Sequence, residues 1–255
     1  MYSSPKQVRE LIRQEKITSN TSKILPGYEQ ANLVILPYED AYDFMRFCIR
    51  NPKPCPLLEV CDKGSPAPSS FIGKDIDLRT DLPLYRIYRN GQLTDKVKNI
   101  RSLWNNDMVA FLIGCSFSFD NALTKADIKL KHIENNSNIS MYNTNIKCQT
   151  AGKFSGNLVV SMRNMPKQDL EKAIEISSRF PLSHGKPIHI GKAEDIGINN
   201  ISQPDYGDAV PINEGDITAF WACGVTPQAI AMNSKTPFMI THEPGHMLIT
   251  DNKSL

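Results

Sequence analysis

Two histidines lie four residues apart near the end of the chain, in the segment THEPGH from Thr241 to His246. Histidine changes its protonation state near neutral pH, so either imidazole could transfer a proton, and Thr241 could bind a substrate beside them. Histidines at this spacing share a metal-binding face only on a helix, and Pro244-Gly245 breaks a helix. Pro-Gly with flanking apolar runs is typical of a type II turn. The segment therefore predicts a β-hairpin with His242 and His246 as acid/base groups at its tip.

A second segment with reactive side chains, GCSFSFD, spans residues 114–120 after an apolar run. A helix that begins here would direct backbone N–H groups at an anionic ligand or a developing oxyanion. Ser116 and Ser118 could bind that ligand, or could only cap the helix. Cys115 at such a position could have a lowered pKa. Cys115 and the carboxylate of Asp120 are our candidate catalytic residues here, and the two serines are candidate substrate ligands.

Arg163 follows an apolar run in the segment VVSMRNM. An unpaired charge beside such a run is costly, so either an acidic side chain or a bound carboxylate must face the guanidinium. Other apolar runs also end in glycine or polar residues, as strands do at ligand sites in α/β proteins, although ordinary turns have the same composition. The candidate substrate ligands in these segments are Asn145, His189, Cys223, Gly224, Thr226 and Gln228.

The composition of the chain argues against several classes of protein. The chain has 255 residues, which suits one large domain or two modest ones, and its 29 basic residues nearly balance 27 acidic ones. No basic run could follow a phosphate backbone, no secretory signal is visible, and no apolar run is long enough to cross a bilayer. The six cysteines form no C-x-x-C pair, which argues against a zinc ribbon. We therefore expect a cytoplasmic protein with free thiols that binds neither nucleic acid nor membrane.

The apolar pattern predicts an α/β fold with a mixed, partly antiparallel sheet, because strands outnumber helices and short turns join several of them. A proline after a capping serine predicts a helix from Pro5. Further helices are predicted over 38–50, after Gly114 and over 168–180, and residues 95–104 are compatible with a helix. Strands are predicted over 31–37, 84–88 and 108–114, and in the segments NISMYNTNI, NLVVSMRNM, KPIHIG, ITAFWACG and FMIT…HMLIT.

The chain closely resembles a bacterial hydro-lyase family that includes D-glutamate cyclase, in the segments PGYEQANLVILP, RNPKPCPLLEV, FLIGCSFSFDNAL, AGKFSGNLVVSMR, FWACGVTPQ and ITHEPGHMLITD. The similarity runs from about Pro26 to Asp251. It implies a three-layer α/β domain, with helices flanking the sheet, from residues 1–128 and 186–255, and a smaller two-layer α+β unit at 129–185. The chain departs from the family pattern at Asp120, Glu243 and the pair Asn164-Met165, so its substrate can differ.

The resemblance implies a carbon–oxygen lyase that converts D-glutamate to 5-oxo-D-proline and water, or acts on a related small amino or hydroxy acid. In this reaction we assign a substrate carboxylate to Arg163, the oxyanion to backbone N–H groups near Cys115 and Ser116, and proton transfer to His242 or His246. The residues that would orient the substrate are Asn145, Thr226 and Gln228.

Alternatives stay open. A covalent route would use Cys115 or Cys223, although a carboxylate is a poor acyl donor without activation. The sequence requires no cofactor, but a divalent metal held by His189, His242 or His246 could act as a Lewis acid. A non-catalytic binding module for a small carboxylate, or a hydrolase of a cyclic amide, would need similar groups. The sequence also leaves a homo-oligomer open.

Overall fold

The computed structural model describes residues 2–254, and this part of the chain forms two β-sheets and six α-helices. The helices are α1 Pro5–Arg13, α2 Tyr38–Arg50, α3 Phe117–Lys125, α4 Lys131–Glu134, α5 Lys167–Ser178 and α6 Thr226–Ser234. The strands are β1 Tyr28–Pro37, β2 Leu57–Val60, β3 Tyr85–Arg89, β4 Gln92–Val97, β5 Met108–Gly114, β6 Met141–Lys147, β7 Asn157–Met165, β8 His189–Ile190, β9 Ile217–Ala222, β10 Phe238–His242 and β11 Leu248–Lys253.

The first sheet is built around β1. Its strand order is β2-β5-β1-β10-β3-β4, and β11 also pairs with β1. Every pairing in the sheet is antiparallel. Residues 31–36 of β1 are buried, because β5 covers one edge of the strand and β10 and β11 cover the other. One apolar cluster packs on each face of the sheet, and α2 covers one of the faces.

The second sheet has the strand order β6-β7-β9-β8, again with antiparallel pairs. Helices α3 and α5 pack on one face, around Phe119 and Trp221, and a second apolar cluster around Phe220 covers the other. The predicted α/β class with antiparallel pairing is confirmed. The division of the chain at residues 128 and 185 stays a prediction; the second sheet takes its strands from 141–165 and 189–222.

Local chemistry explains the helices that the sequence predicted. Ser4 caps α1, since its Oγ accepts a hydrogen bond of 3.2 Å from the N–H of Gln7, and Pro5 occupies the first turn. Helix α2 places Ala41 and Phe44 in the core, and has acidic residues in its first turn and Arg50 in its last. Within residues 2–254, no helix combines the length and apolar character that a bilayer crossing needs.

Residues 95–104 do not form the helix that their spacing allowed. Asn90 and Gly91 adopt φ values of 51° and 75°, which suit a tight hairpin turn, and they join β3 to β4. Strand β4 therefore spans Gln92–Val97, because pairing with β3 outweighs the weak helical pattern of the sequence.

The segment THEPGH is not a hairpin. Strands β10 and β11 both pair antiparallel with β1, with Thr241 opposite Val34 and Leu248 opposite Ala31. They therefore run in the same direction along one edge of β1, and residues 243–247 leave that edge and return to it. The turn itself matches the prediction, because the His246 N–H donates to the Glu243 carbonyl over 2.9 Å and Gly245 has a φ of 84°.

Replacement of Gly245 by alanine should destabilise the protein more than replacement of Gly215. Both glycines have nearly the same φ, 84° and 83°, so each substitution carries the left-handed strain of about 1–2 kcal/mol. A methyl group at Gly215 meets open space, but one at Gly245 lies 2.6 Å from Asn138 Nδ2. Moving Asn138 breaks its 3.2 Å bond to the Pro244 carbonyl, which adds about 1 kcal/mol.

The measurement is urea unfolding of both variants under the same conditions. Equal losses in the free energy of unfolding would show that Asn138 does not constrain the turn.

Candidate active site

A small cavity, here called the inner cavity, lies where strand ends of both sheets meet, and all of its lining residues except Asn138 are buried. Its volume is about 20 Å³, room for roughly one water molecule. The lining residues come from the β5–α3 turn, the β9–α6 turn, the end of β10 and the turn after it, and three other segments. They are Asn32, Cys115, Ser116, Phe117, Asn138, Ile139, Met141, His184, Cys223, Gly224, Val225, His242, Gly245 and Met247.

Two helices begin at the inner cavity. Strand β5 ends at Gly114 and is followed by Cys115 and α3, while β9 ends at Ala222 and is followed by Cys223 and α6. Unpaired N–H groups and the helix dipole make a helix N-terminus attractive to anions. The helix after Gly114 was predicted, but α6 was not. Pro227 in its first turn is the signal that could have identified it, since proline is favoured there.

The two turns are held together by a close contact between Gly224 and Asn32. A methyl group on Gly224 would lie 2.0 Å from Asn32 Nδ2, so only glycine fits beside this side chain. The same Nδ2 donates to the Gly114 carbonyl over 2.7 Å. The amide of β1 thus fixes the end of β5 against the end of β9.

His242 is fully buried, and the backbone of β1 fixes the orientation of its ring. Its Nδ1 accepts a hydrogen bond from the Leu33 N–H at 3.2 Å and also lies 3.3 Å from the Leu33 carbonyl, so either tautomer has a partner. Nε2 is buried without a hydrogen-bond partner. Burial is the main cause that lowers the pKa of His242, to about 4. The imidazole is therefore neutral at pH 7, and its free nitrogen can accept or donate a proton.

His184 also lines the inner cavity, and sequence reasoning missed it. Its Nδ1 lies 2.6 Å from the Lys53 carbonyl, and burial lowers its pKa to about 4. The residue adopts a φ of 77° directly before Gly185. The histidine-glycine pair after the predicted helix at 168–180 was the available signal, but it follows no strand and so escaped a search of strand ends.

The two cysteines at the helix starts are thiols at neutral pH. Burial raises the pKa of Cys115 far above its usual range and that of Cys223 to about 11. The expectation of a lowered pKa at Cys115 is wrong, because loss of hydration outweighs the N–H group of Phe117 beside the sulfur. All six cysteines of the chain are free, as expected.

Arg163 faces an acidic side chain. Its Nε and Nη2 donate to Asp120 Oδ1 over 2.9 and 2.6 Å, and Nη2 also donates to Ser116 Oγ over 3.1 Å. The guanidinium lies over the rings of Phe119 and Trp221. Of the two partners that the sequence allowed, the acidic side chain is the one observed.

Asp120 is a buried carboxylate in the middle of this cluster. Burial alone would raise its pKa, but Arg163 and His132 together hold it below its usual value. His132, which the sequence did not indicate, places Nε2 3.3 Å from Asp120 Oδ2. The hydrogen bond from Arg163 to Ser116 joins this cluster to the start of α3. It therefore holds Ser116 in the wall of the inner cavity.

Other candidate ligands support the site from outside the inner cavity. Gln228 Nε2 donates to the His242 carbonyl over 2.8 Å, as does the Thr241 hydroxyl over 3.0 Å. The Thr226 hydroxyl bridges the Val159 N–H and the Cys223 carbonyl. Ser118 Oγ accepts from the N–H of a β1 residue at 3.1 Å. These bonds orient the strand ends rather than expose groups to a ligand.

His246 faces a separate polar cavity of about 400 Å³, here called the outer cavity. The outer cavity is lined by Asn20, Arg86, Asn138, Asp205, Tyr206, Gly207, Asp208, Glu243, Pro244 and His246, so it shares Asn138 with the inner cavity. Asn145 is exposed on β6, and His189 lies on the edge strand β8 with Nε2 2.8 Å from the Lys192 carbonyl. The structure therefore does not bring these three residues to the inner cavity.

The histidines considered for a metal do not converge, since His189, His242 and His246 lie at three different places. Across residues 2–254, no group of three or more histidine, cysteine, aspartate or glutamate side chains is arranged to hold a metal ion.

Comparison with known proteins adds the family. Residues 109–251 match the family model described as D-glutamate cyclase. A Bacillus licheniformis protein named "putative hydro-lyase" is 54% identical over 97% of this chain and 94% of its own length. YcsI of Bacillus subtilis, which has the same description, is 54% identical over 97% and 96%, and a Thermoanaerobacter relative is 54% identical over 98% and 94%.

The family match and the names of these relatives define an enzyme of the hydro-lyase class. The chain belongs to the D-glutamate cyclase family.

Alanine at position 224 should force the two strand ends apart. The added methyl group collides with Asn32, and overpacking of this kind costs about 1–3 kcal/mol. Asn32→Ala removes the colliding amide, so it should recover part of the loss when combined with Gly224→Ala. A double-mutant cycle of unfolding free energies measures this coupling. Strictly additive losses would contradict the close contact.

Proposed function

We propose that this enzyme closes D-glutamate to 5-oxo-D-proline with loss of water, or removes water in the same way from a related small amino or hydroxy acid. Family membership supports the reaction class. The observation that carries the proposal is the buried, unpaired Nε2 of His242 at a cavity lined by two helix starts.

The chemistry makes three demands on the enzyme. The α-ammonium must lose a proton, and its nitrogen must then attack the carbon of the γ-carboxyl group. The tetrahedral oxyanion that forms needs hydrogen-bond donors. One oxygen must finally leave as water, which requires two protons, and the nitrogen loses two protons on its way from ammonium to amide. A single residue that carries these protons in turn from the nitrogen to the departing oxygen balances the reaction.

His242 suits this role because its ring is neutral at pH 7 and the ring proton can lie on either nitrogen. With the proton on Nδ1 directed at the Leu33 carbonyl, Nε2 is free to accept a proton from the substrate. The resulting imidazolium then donates that proton to the leaving oxygen, and the same ring transfers the second proton when the nitrogen loses it. Burial favours the neutral ring, so the proton is returned readily.

Backbone N–H groups at the starts of α3 and α6 are the proposed donors to the oxyanion and to a substrate carboxylate. Arg163, whose donors go to Asp120 and Ser116, acts in this proposal as a positioning residue that fixes the start of α3. The buried thiols of Cys115 and Cys223 are protonated at neutral pH, which disfavours a thioester route.

The substrate enters from the outer cavity in this proposal. The inner cavity holds roughly one water molecule, so a five-carbon acid needs Asn138 or the turn at 243–247 to move. These groups form the boundary that both cavities share. We also place the enzyme in the cytoplasm, where its six free cysteines would stay reduced.

Replacement of His242 by glutamine should lower kcat by about 10²–10⁴-fold, the usual loss when a general acid/base is removed. His189→Gln is the matched control, because His189 lies on the edge strand β8 and lines neither cavity, and it should retain most of the activity. The wild-type enzyme should keep its base form down to the folded pKa of about 4, so the acid limb of kcat/KM should lie near pH 4 rather than near 6.5.

The assay follows water loss from D-glutamate, L-glutamate and related amino and hydroxy acids by mass spectrometry. Full activity in His242→Gln would remove this residue from the mechanism. Saturable binding of the acids without turnover would instead indicate a binding module, and net ring opening of 5-oxo-D-proline would indicate a cyclic-amide hydrolase.

A further inference from the structure

Helix α2 carries an apolar stripe on the side that faces solvent. Tyr38, Tyr42 and Ile49 expose 57%, 66% and 64% of their surface, and Met45 lies half-buried between them. The opposite side of the helix, around Phe44, packs into the core. No other helix in residues 2–254 exposes three large apolar side chains, so this stripe is a distinct surface feature.

The spacing of the stripe is that of a helix–helix seam. Its four residues follow one another at intervals of four, three and four, which is the a/d pattern of a coiled coil. An open groove of about 580 Å³ runs beside the stripe, with Val60, Val109 and Phe111 in its wall. A second helix laid along the stripe would find apolar side chains on one side and space for its own side chains on the other.

The charges of α2 favour a second, antiparallel copy of the same helix. Glu39 is exposed in the first turn, whereas Arg46 and Arg50 lie near the other end. Asp43 holds Arg46 at 3.0 Å on the same helix. An antiparallel copy places Glu39 of each helix near the basic end of the other, twice in one two-fold contact. A parallel copy would place like charges together.

We propose that two copies of this chain form a two-fold dimer in which their α2 helices pack antiparallel along the Tyr38–Tyr42–Met45–Ile49 stripe. The contact buries the exposed apolar side chains of both helices, and the groove beside each stripe contributes further apolar surface to it. The inner cavity lies elsewhere and takes no residue from α2, so the dimer does not depend on the proposed reaction.

Sedimentation equilibrium of the full chain tests the dimer. The wild-type protein should have twice the monomer mass of 28.6 kDa. Tyr42→Glu places a charge in the middle of the stripe and should give a monomer. Phe71→Glu is the control, because Phe71 is 76% exposed outside α2, and it should leave the dimer intact. Circular dichroism confirms that each variant is folded.

A charge exchange tests the antiparallel direction. Glu39→Arg and Arg50→Glu should each weaken the dimer, on the order of tenfold in Kd, because two symmetric pairs are lost. The double variant Glu39→Arg/Arg50→Glu restores opposite charges and should recover the wild-type Kd. A monomeric wild-type protein, a dimer unaffected by Tyr42→Glu, or a double variant weaker than both single variants would overturn the proposal.

Discussion

The arrangement of the site depends on the contact between Gly224 and Asn32. Asn32 lies in the central strand of the first sheet, and Gly224 lies two residues after the end of β9 in the second sheet. A side chain at position 224 would overlap the amide, which is also bonded to the carbonyl at the end of β5. One buried amide therefore sets the distance between the two strand-to-helix turns. The inner cavity is the space that remains between them, and His242 reaches it because β10 pairs with the same strand that holds Asn32.

Burial decides the charge state of the four titratable side chains that line this space. His184 and His242 are neutral at pH 7 because their burial lowers both pKa values to about 4, and the two thiols stay protonated because burial raises theirs. The charge of Arg163 is compensated by Asp120. Under the proposed function, attraction for an anionic substrate comes chiefly from the backbone at the starts of α3 and α6. Such dipoles are fixed by the fold, so they need little reorganisation when a negative charge develops.

Periodicity and turn chemistry predicted much of the fold, because they are local. The helices at Pro5 and Tyr38 and the strand before Gly114 have apolar spacing and end signals that the tertiary structure preserves. The errors have a tertiary cause. Residues 95–97 pair with β3 instead of beginning a helix, and the hairpin at THEPGH was wrong because both flanking strands pair with β1 instead of each other. Likewise, residue type selected three residues that line the inner cavity, His242, Cys115 and Cys223. Nothing local could show that Asn145 and His189 lie away from them or that Arg163 meets Asp120.

The most direct test of a ligand site between the two helix starts is the ¹⁵N NMR spectrum of the histidine side chains, recorded during titration with 5-oxo-D-proline, the proposed product. Single substitutions would assign the resonances of the five histidines. We expect a saturable shift at Nε2 of His242 and none at His189, which lies on the edge of the second sheet. Saturable binding that leaves the His242 resonances unchanged would contradict the account, because the ligand would then occupy another part of the molecule.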